Sequence, residues 1–484
     1  EMSHAEFPSK YIISVEEVEK ELCKIKLNKS IGPDDIPNWI LRDLAPLLSA
    51  PIASIFNASL KEGYIPPIWR SANITPLPKV PIVQTIENDL RPISLTPILI
   101  KILESFVVSW LWDIVKDKLK KNQFGGIKNS STSHALTKIL HDWHTTIHNH
   151  HAVCVLFLDY KKAFDLVDHS ILIQKIKKLD VPDVLVNWLG AFLSDRKIRV
   201  KLSGEVSEWL SINGSVPQGS KLGPLLYIIM IDDLEVNTEN TDLYKFMDDT
   251  TASEIITHNS PSNLQTTADQ VLEWTIVNNA QVNPSKTVEM LISFAKDPPE
   301  LERISIGSNE ISRVDQYKLL GLIISNDLTW TAHVDTICKK ANKRLFYLIL
   351  LRRSGVAKSD LVKFYKHIIR PILEYGCVVW HSSLPNFLVD KLENVQVRAM
   401  NIIGPEAERL ETLKSRREEM CVRFFKNMTK ETHVLNELLP KPKDASQHMA
   451  TRNFVPYHLP KCNTNRFKNS FVPFSLLHRQ EIFN

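Results

Sequence analysis

Apolar and polar positions alternate along the chain in two distinct periods. Val153-Cys-Val-Leu-Phe-Leu158 is an unbroken apolar run rich in β-formers, which predicts a strand buried on both faces. Leu243–Met247 and Thr251–Ile256 predict two more strands, joined by a tight turn at Asp248-Asp249. A β-rich stretch covers Arg196–Ile212. Helical periodicity predicts helices over 134–150 and Ile171–Leu179, and Ser14 followed by Glu17 predicts a capping box opening a helix over Val15–Lys26. Residues 1–125 read as mainly helical, with loops at Gly32-Pro33-Asp34 and Pro76-Leu77-Pro78. From Val334 onward the period is helical again. Val334, Ile337, Ala341, Leu345 and Leu348 share one face, and Leu388, Leu392, Val395, Ala399 and Ile402 share another. The pattern predicts an α/β (α+β) molecule: a mixed middle, a helical bundle over 330–405, and a tail that starts charged and helical and ends irregular.

Composition narrows the class. The chain has 484 residues, 43% hydrophobic and 24% charged, an ordinary globular balance. No two of its six cysteines stand in a Cys-x-x-Cys spacing, so no zinc knuckle is expected, and scattered cysteines fit a reducing compartment, nucleus or cytoplasm. No signal peptide opens the chain, and its longest apolar run, near Leu225–Ile231, falls short of the roughly 20 residues of a bilayer span, so no membrane partner is expected. Net charge is +4, yet His333–Arg370 holds ten Lys/Arg against two Asp. Such a stretch is either a polyanion-binding surface or a solvated helical face. His141, His144 and His148, with His150 and His151 following, form either a zinc site or, more commonly, a polar helix face.

The acidic residues add candidate chemistry. Phosphoryl transfer needs two divalent cations about 3.5–4 Å apart, held by carboxylates on neighbouring strand ends. Asp159 directly follows the apolar strand, and Asp248 and Asp249 lie at the hairpin tip. An Asp pair in a turn is ordinary by itself, and Asp232-Asp233 reads as a helix-end or loop feature.

The order of motifs gives that pair its meaning. Phe157-Leu-Asp159-Tyr-Lys-Lys-Ala-Phe164-Asp165, Val216-Pro-Gln218-Gly219-Ser-Lys-Leu-Gly223-Pro-Leu-Leu226, Tyr244-Lys-Phe246-Met247-Asp248-Asp249, Asn283-Pro-Ser-Lys286-Thr287 and Leu319-Leu-Gly321 through Asp327-Leu-Thr-Trp330 follow one another. Trp69-Arg70, Pro78-Lys79 and Leu90-Arg91-Pro92-Ile93-Ser94-Leu95 precede them. Together they resemble the reverse transcriptases of non-LTR (LINE-type) retrotransposons over roughly residues 20–405.

The resemblance implies a right-hand polymerase: α-rich fingers and an N-terminal extension over 1–150, an antiparallel-sheet palm over 151–326, a basic helical thumb over 327–405, and a tail of unknown role over 406–484. The implied reaction is nucleotidyl transfer from a dNTP to a primer 3′-hydroxyl, copying element RNA into DNA. Its implied partners are an RNA template, a DNA primer or target, and dNTPs. Two Mg2+ ions, with Mn2+ as a substitute, would sit on Asp159, Asp248 and Asp249. Lys286 would protonate the leaving pyrophosphate, and Lys79 and Arg91 would hold the triphosphate. Phe164 would lie under the sugar and exclude a 2′-hydroxyl, and Gln218 and Gly219 would face the nucleotide. Lys339, Lys340, Lys343 and Arg344 would grip the nucleic-acid backbone. Asp165 receives no role. The sequence departs from the family at Met247, where such enzymes mostly carry Ala, and at Gln123-Phe124-Gly125-Gly126, where a Gly-Phe order is usual. Because the chain opens at Glu1 without an endonuclease, target nicking is expected from a missing segment, a separate protein or existing breaks. An RNA-dependent RNA polymerase, and a decayed copy that binds RNA without chemistry, are the rival readings.

Overall fold

The computed structural model describes residues 7–257, 261–405, 410–443 and 456–479. Two compact units divide the chain. One gathers the chain up to Gly126 with Tyr160–Glu235 and Val271–Val282; the other gathers Ile127–Asp159, Val236–Gln270 and the chain from Asn283 onward.

The second unit is built on a five-stranded sheet. Its strand order is Ser312–Arg313, Val288–Ile292, Ala152–Leu158, Asp249–Ile256, Thr241–Phe246. The pairings are antiparallel except at the Ser312–Arg313 edge, which runs parallel to its neighbour. The central strand Ala152–Leu158 has neighbours on both sides, and all seven of its residues are buried, as the unbroken apolar run predicts. The helix Thr132–His148 packs on this sheet, where Trp143 Nε1 donates to Ser253 Oγ at 2.8 Å. The long helix Thr331–Arg353 buries Val334, Ile337, Ala341, Leu345 and Leu348, the expected stripe. Across from it, Asn386–Ile403 buries Leu388, Leu392, Val395 and Ala399, but closes on Ile403 rather than Ile402.

Of the 406–484 tail, 410–443 and 456–479 are described. Its helices Leu413–Met428, Asn465–Lys468 and Phe471–His478 belong to the second unit, where Phe424 stacks on His134 and Phe467 on His148. His144 is buried and His134, His141 and His148 are half-buried, while His150 stays exposed, so the helical part of the histidine run is packed rather than fully solvated.

The first unit holds the other five-stranded sheet: Leu90–Leu95, Ser71–Pro78, Arg196–Leu202 and Glu205–Val206 in order, with Leu210–Ile212 also on Arg196–Leu202. Pro76-Leu77-Pro78 therefore lies in a strand, not a loop. Along Ser71–Pro78, Arg196–Leu202 reaches only Ser71–Ile74, so both prolines fall where one side of the strand has no ladder to break. The helix Val15–Cys23 starts on the expected Ser14–Glu17 capping box and stops three residues short of Lys26. The apolar run becomes the helix Gly223–Asp232, buried at nearly every position, and Asp232 ends it. Among the described residues no helix is long and apolar enough to cross a membrane.

Burial holds several histidines of the second unit neutral. It lowers His144 to about 3 and His141 and His333 to about 4. Unfolded histidine titrates near 6.5, so the unfolded chain binds more protons below that value. This stabilisation is complete above pH about 6.5 and is lost as pH falls toward the folded values, at up to about 1.4 kcal/mol per pH unit for a fully buried ring. The urea midpoint should therefore drop between pH 7 and pH 5, and His144→Gln should flatten part of the slope. Equal midpoints at the two pH values would contradict this account.

Candidate functional site

Strand register places the carboxylates. The ladder between Ala152–Leu158 and Asp249–Ile256 ends at Leu158 opposite Thr250, so one step further sets Asp159 across from Asp249. Phe246 pairs with Asp249, which makes Met247-Asp248 the two-residue turn; the expected turn at Asp248-Asp249 is thus displaced by one residue. Met247 takes φ 58, a left-handed conformation that side chains other than glycine seldom adopt. The strain is local and sits beside the acidic residues.

Asp159 is tied down from a distant part of the chain. Asn283 donates its backbone amide to the Asp159 carbonyl at 2.7 Å and its side-chain Nδ2 to Asp159 Oδ2 at 3.1 Å. Thr287 Oγ1 accepts from the Asp159 amide at 3.2 Å. Tyr317 stacks on Phe157 with ring centroids 3.9 Å apart. Burial, then the charges of Asp248 and Asp159, push the Asp249 carboxyl up to about 6, although the residue as a whole keeps solvent contact. Burial, followed by Asp249 and Asp159, raises the Tyr317 phenol to about 12. Lys286 lies exposed in the turn that begins at Asn283.

This set fits a divalent cation. The donors are hard oxygens, and a double positive charge would offset both the burial and the mutual repulsion that raise Asp249. Among the described residues no three His, Cys, Asp or Glu side chains converge closely enough to hold an ion by themselves. Magnesium takes only one or two carboxylates from a protein and completes its shell with substrate phosphates and water.

The nucleotide-facing candidates gather in the first unit. The Val216 amide donates to the Phe164 carbonyl at 2.9 Å, bringing the two motifs together. The Phe164 ring is half-buried and stacks on Tyr227 at 4.5 Å. Gln218 Nε2 donates to Asp165 Oδ1 at 3.1 Å, and the Ser94 amide donates to the Gln218 carbonyl at 2.7 Å. Asp165, without a role from sequence, therefore orients the Gln218 amide. Its carboxyl titrates above the ordinary range because it is partly buried. Gly219 has φ +117, and a Cβ there would stand 2.8 Å from the Ser94 carbonyl oxygen. Arg91 is exposed opposite Leu77, and Lys79, two residues further along, is exposed on the same face.

On the Thr331–Arg353 helix, Lys339, Lys340, Lys343 and Arg344 are all exposed, opposite the buried stripe. Sequence reasoning missed Asn283 as the clamp of Asp159 and Asp165 as the partner of Gln218. The Asn283-Pro turn was the available signal for the first; its partner lies 124 residues away, beyond any local pattern.

The chain belongs to the reverse transcriptase (RNA-dependent DNA polymerase) family, whose profile matches residues 77–324, just over half of the chain. Its resemblance to non-LTR elements holds as well. It is 29% identical over 407 residues to the RNA-directed DNA polymerase from mobile element jockey of Drosophila melanogaster, covering 81% of this chain and 44% of that protein. It is 27% identical over 405 residues to the probable RNA-directed DNA polymerase from transposon BS of the same species, again 81% and 44%. The chain thus spans less than half the length of these curated relatives. A solved telomerase from Candida tropicalis, in complex with a fragment of telomeric RNA, overlaps 79% of this chain and 72% of its own at 12% identity and a TM-score of 0.40. That likeness is too distant to add to the family assignment. The mixed α/β architecture and the family together define a right-hand polymerase fold.

Gly219→Ala tests the tightest of these contacts. Positive φ and the approach to Ser94 should together cost about 1–3 kcal/mol or more. A Tm unchanged from the parent would show that the turn can relax.

Proposed function

We propose that this chain is the polymerase segment of a non-LTR retrotransposon protein, an RNA-directed DNA polymerase that extends a primer with dNTPs along element RNA. The observation that carries the reading is the register that sets Asp159 across from Asp249 at one end of the sheet, with Asp248 in the adjoining turn. Fingers within 1–150, palm within 151–326 and thumb within 327–405 are the proposed functional segments. Free cysteines throughout the described chain support a reducing compartment, nucleus or cytoplasm.

Asp159, Asp248 and Asp249 would hold two Mg2+ ions, with Mn2+ as a substitute. Bound there, such ions would lower the pKa of the primer hydroxyl and offset charge on the transferring phosphoryl group. Asn283 keeps the Asp159 carboxylate in one orientation, so its lone pairs need no reorganisation on binding. The primer 3′-hydroxyl gives up its proton to solvent, and its oxygen forms a bond to the α-phosphorus as the bond to pyrophosphate breaks. Lys286 Nζ supplies a proton to the departing oxygen. Lys79, as a point charge, and Arg91, as a two-toothed fork, hold the triphosphate. Gln218 and the backbone at Gly219 face the nucleotide. The Phe164 ring, fixed against Tyr227, fills the volume a 2′-hydroxyl would need, so selection for deoxynucleotides is steric. That ring stands against the RNA-polymerase reading. Lys339, Lys340, Lys343 and Arg344 follow the template–primer backbone, and binding there weakens steeply with salt. An endonuclease in a further segment or a separate protein would supply the target nick.

Primer extension on poly(rA)/oligo(dT) with dTTP and Mg2+ tests this reading. The parent should extend, and Asp248→Ala should fall by more than about a thousandfold with duplex binding retained. A folded parent that binds the duplex without extending it would identify a chain that binds RNA but has lost the chemistry.

A further inference from the structure

The Val216–Leu222 loop is held from a place the reaction above does not use. Glu104 lies in the helix Ile98–Val115, whose other buried residues (Ile100, Ile102, Leu103, Val107, Leu111 and Val115) are all apolar. It is fully buried, with 0% of its surface exposed. A carboxylate in such a place needs strong compensation. One of its oxygens, Oε2, accepts both from the Lys221 amide at 2.6 Å and from the Leu222 amide at 3.0 Å. Burial raises the Glu104 carboxyl above its ordinary range, opposed by the Leu222 and Lys221 amides and then by the charges of Arg196 and Lys101. Its other oxygen, Oε1, is buried without a hydrogen-bond partner, and Lys221 Nζ donates to Ser105 Oγ on the same helix.

Helix capping alone does not account for this arrangement. The first amide inside the helix Gly223–Asp232, that of Gly223, is already met locally by Ser220 Oγ at 2.9 Å, and the two amides that Glu104 meets both precede the helix. Glu104 reaches in from more than a hundred residues away in sequence. What it adds is an anchor on the downstream side of Gln218. Upstream of Glu104, Ser94 supplies the second anchor through the Gln218 carbonyl. Ser220 Oγ donates to the Pro217 carbonyl at 3.0 Å, which makes the turn rigid between the two anchors. Only the Gln218 side chain remains adjustable, and Asp165 holds that.

We infer that Glu104 is a positioning residue for nucleotide binding: its buried carboxylate presets the Pro217-Gln218-Gly219 turn for the incoming nucleotide through the Lys221 and Leu222 amides. The inference rests on the reading that Gln218 faces the nucleotide. Because both amides meet the same oxygen, Glu104→Gln retains an acceptor in place, whereas Glu104→Ala leaves both amides bare.

The test is steady-state extension with dTTP on poly(rA)/oligo(dT), alongside duplex affinity and thermal melting, for Glu104→Ala, Glu104→Gln, Gln218→Ala and the Glu104→Ala/Gln218→Ala double variant. Glu104→Ala should raise the KM for dTTP about tenfold, the net loss of roughly one hydrogen bond. Duplex affinity should stay unchanged, and Glu104→Gln should stay within about twofold of the parent. The double variant should be no worse in KM than Gln218→Ala, because both act through one contact. Equal damage from Ala and Gln, an unchanged KM in Glu104→Ala, or additive losses in the double variant would each overturn the inference. Should Glu104→Ala fail to fold, Glu104→Asp replaces it, since its shorter side chain must pull the turn or release it. Gln218→Ala with an unchanged KM would overturn the reading of Gln218 itself, a result distinct from failure at Glu104.

Discussion

The pairing of Ala152–Leu158 with Asp249–Ile256 is the constraint on which the candidate chemistry depends. Side chains alternate across a sheet, so a slip of one residue would turn each carboxylate to the opposite face. The register is pinned by contacts unrelated to catalysis. The central strand is paired on both sides and wholly buried. Trp143 bonds Ser253 on the partner strand, and Tyr317 stacks on Phe157 two residues before Asp159. Burial of apolar side chains therefore decides where the acidic ones end, and the hydrophobic core acts as the ruler for the site.

The same end of the sheet works against stability. Asp249 titrates near 6 because burial and two neighbouring carboxylates disfavour its charge, and Met247 is held at positive φ in the adjoining turn. Neither feature helps the fold. Both persist because the sheet behind them is over-determined, the usual condition for strain at a reactive site. The Gln218 loop achieves rigidity differently. Its positive-φ residue is Gly219, which bears the conformation without penalty, and hydrogen bonds from Ser94, Ser220 and Glu104 replace strain.

What was legible in the sequence is what local period and chain order encode. The buried strand, the capping box at Ser14 and the apolar stripe from Val334 to Leu348 came directly from spacing. Family resemblance named the candidate residues, since their order along the chain is distinctive. Three things escaped. Pro76 and Pro78 suggest a loop, but only a three-dimensional pairing reveals that one side of their strand is free. The Asp pair resembles turn residues, yet the Thr250-Thr251 β-formers draw Asp249 into the strand and move the turn onto Met247. Asn283 and Glu104 meet partners more than a hundred residues away, and in sequence Glu104 is one charge in an apolar helix.

The tail is tied to the helix Thr132–His148 through a pair of histidines, His134 and His433. Protonation states follow from the bonds. The Leu435 amide donates to His433 Nδ1 at 3.2 Å, so that nitrogen carries no proton and the neutral ring holds it on Nε2. His433 Nε2 then donates to His134 Nε2 at 3.2 Å, which leaves the His134 proton on Nδ1, facing Ser131 Oγ at 2.9 Å. Binding a metal through His433 Nε2 would force its proton onto Nδ1, against a backbone N–H. The chain of donors has one consistent direction, and both rings are neutral in it, in accord with the lowered proton affinity of each. His134 and His433 thus form a polar seam joining the tail to the helix that packs on the central strand. Its integrity, like the placement of Asp159, depends on that helix staying packed.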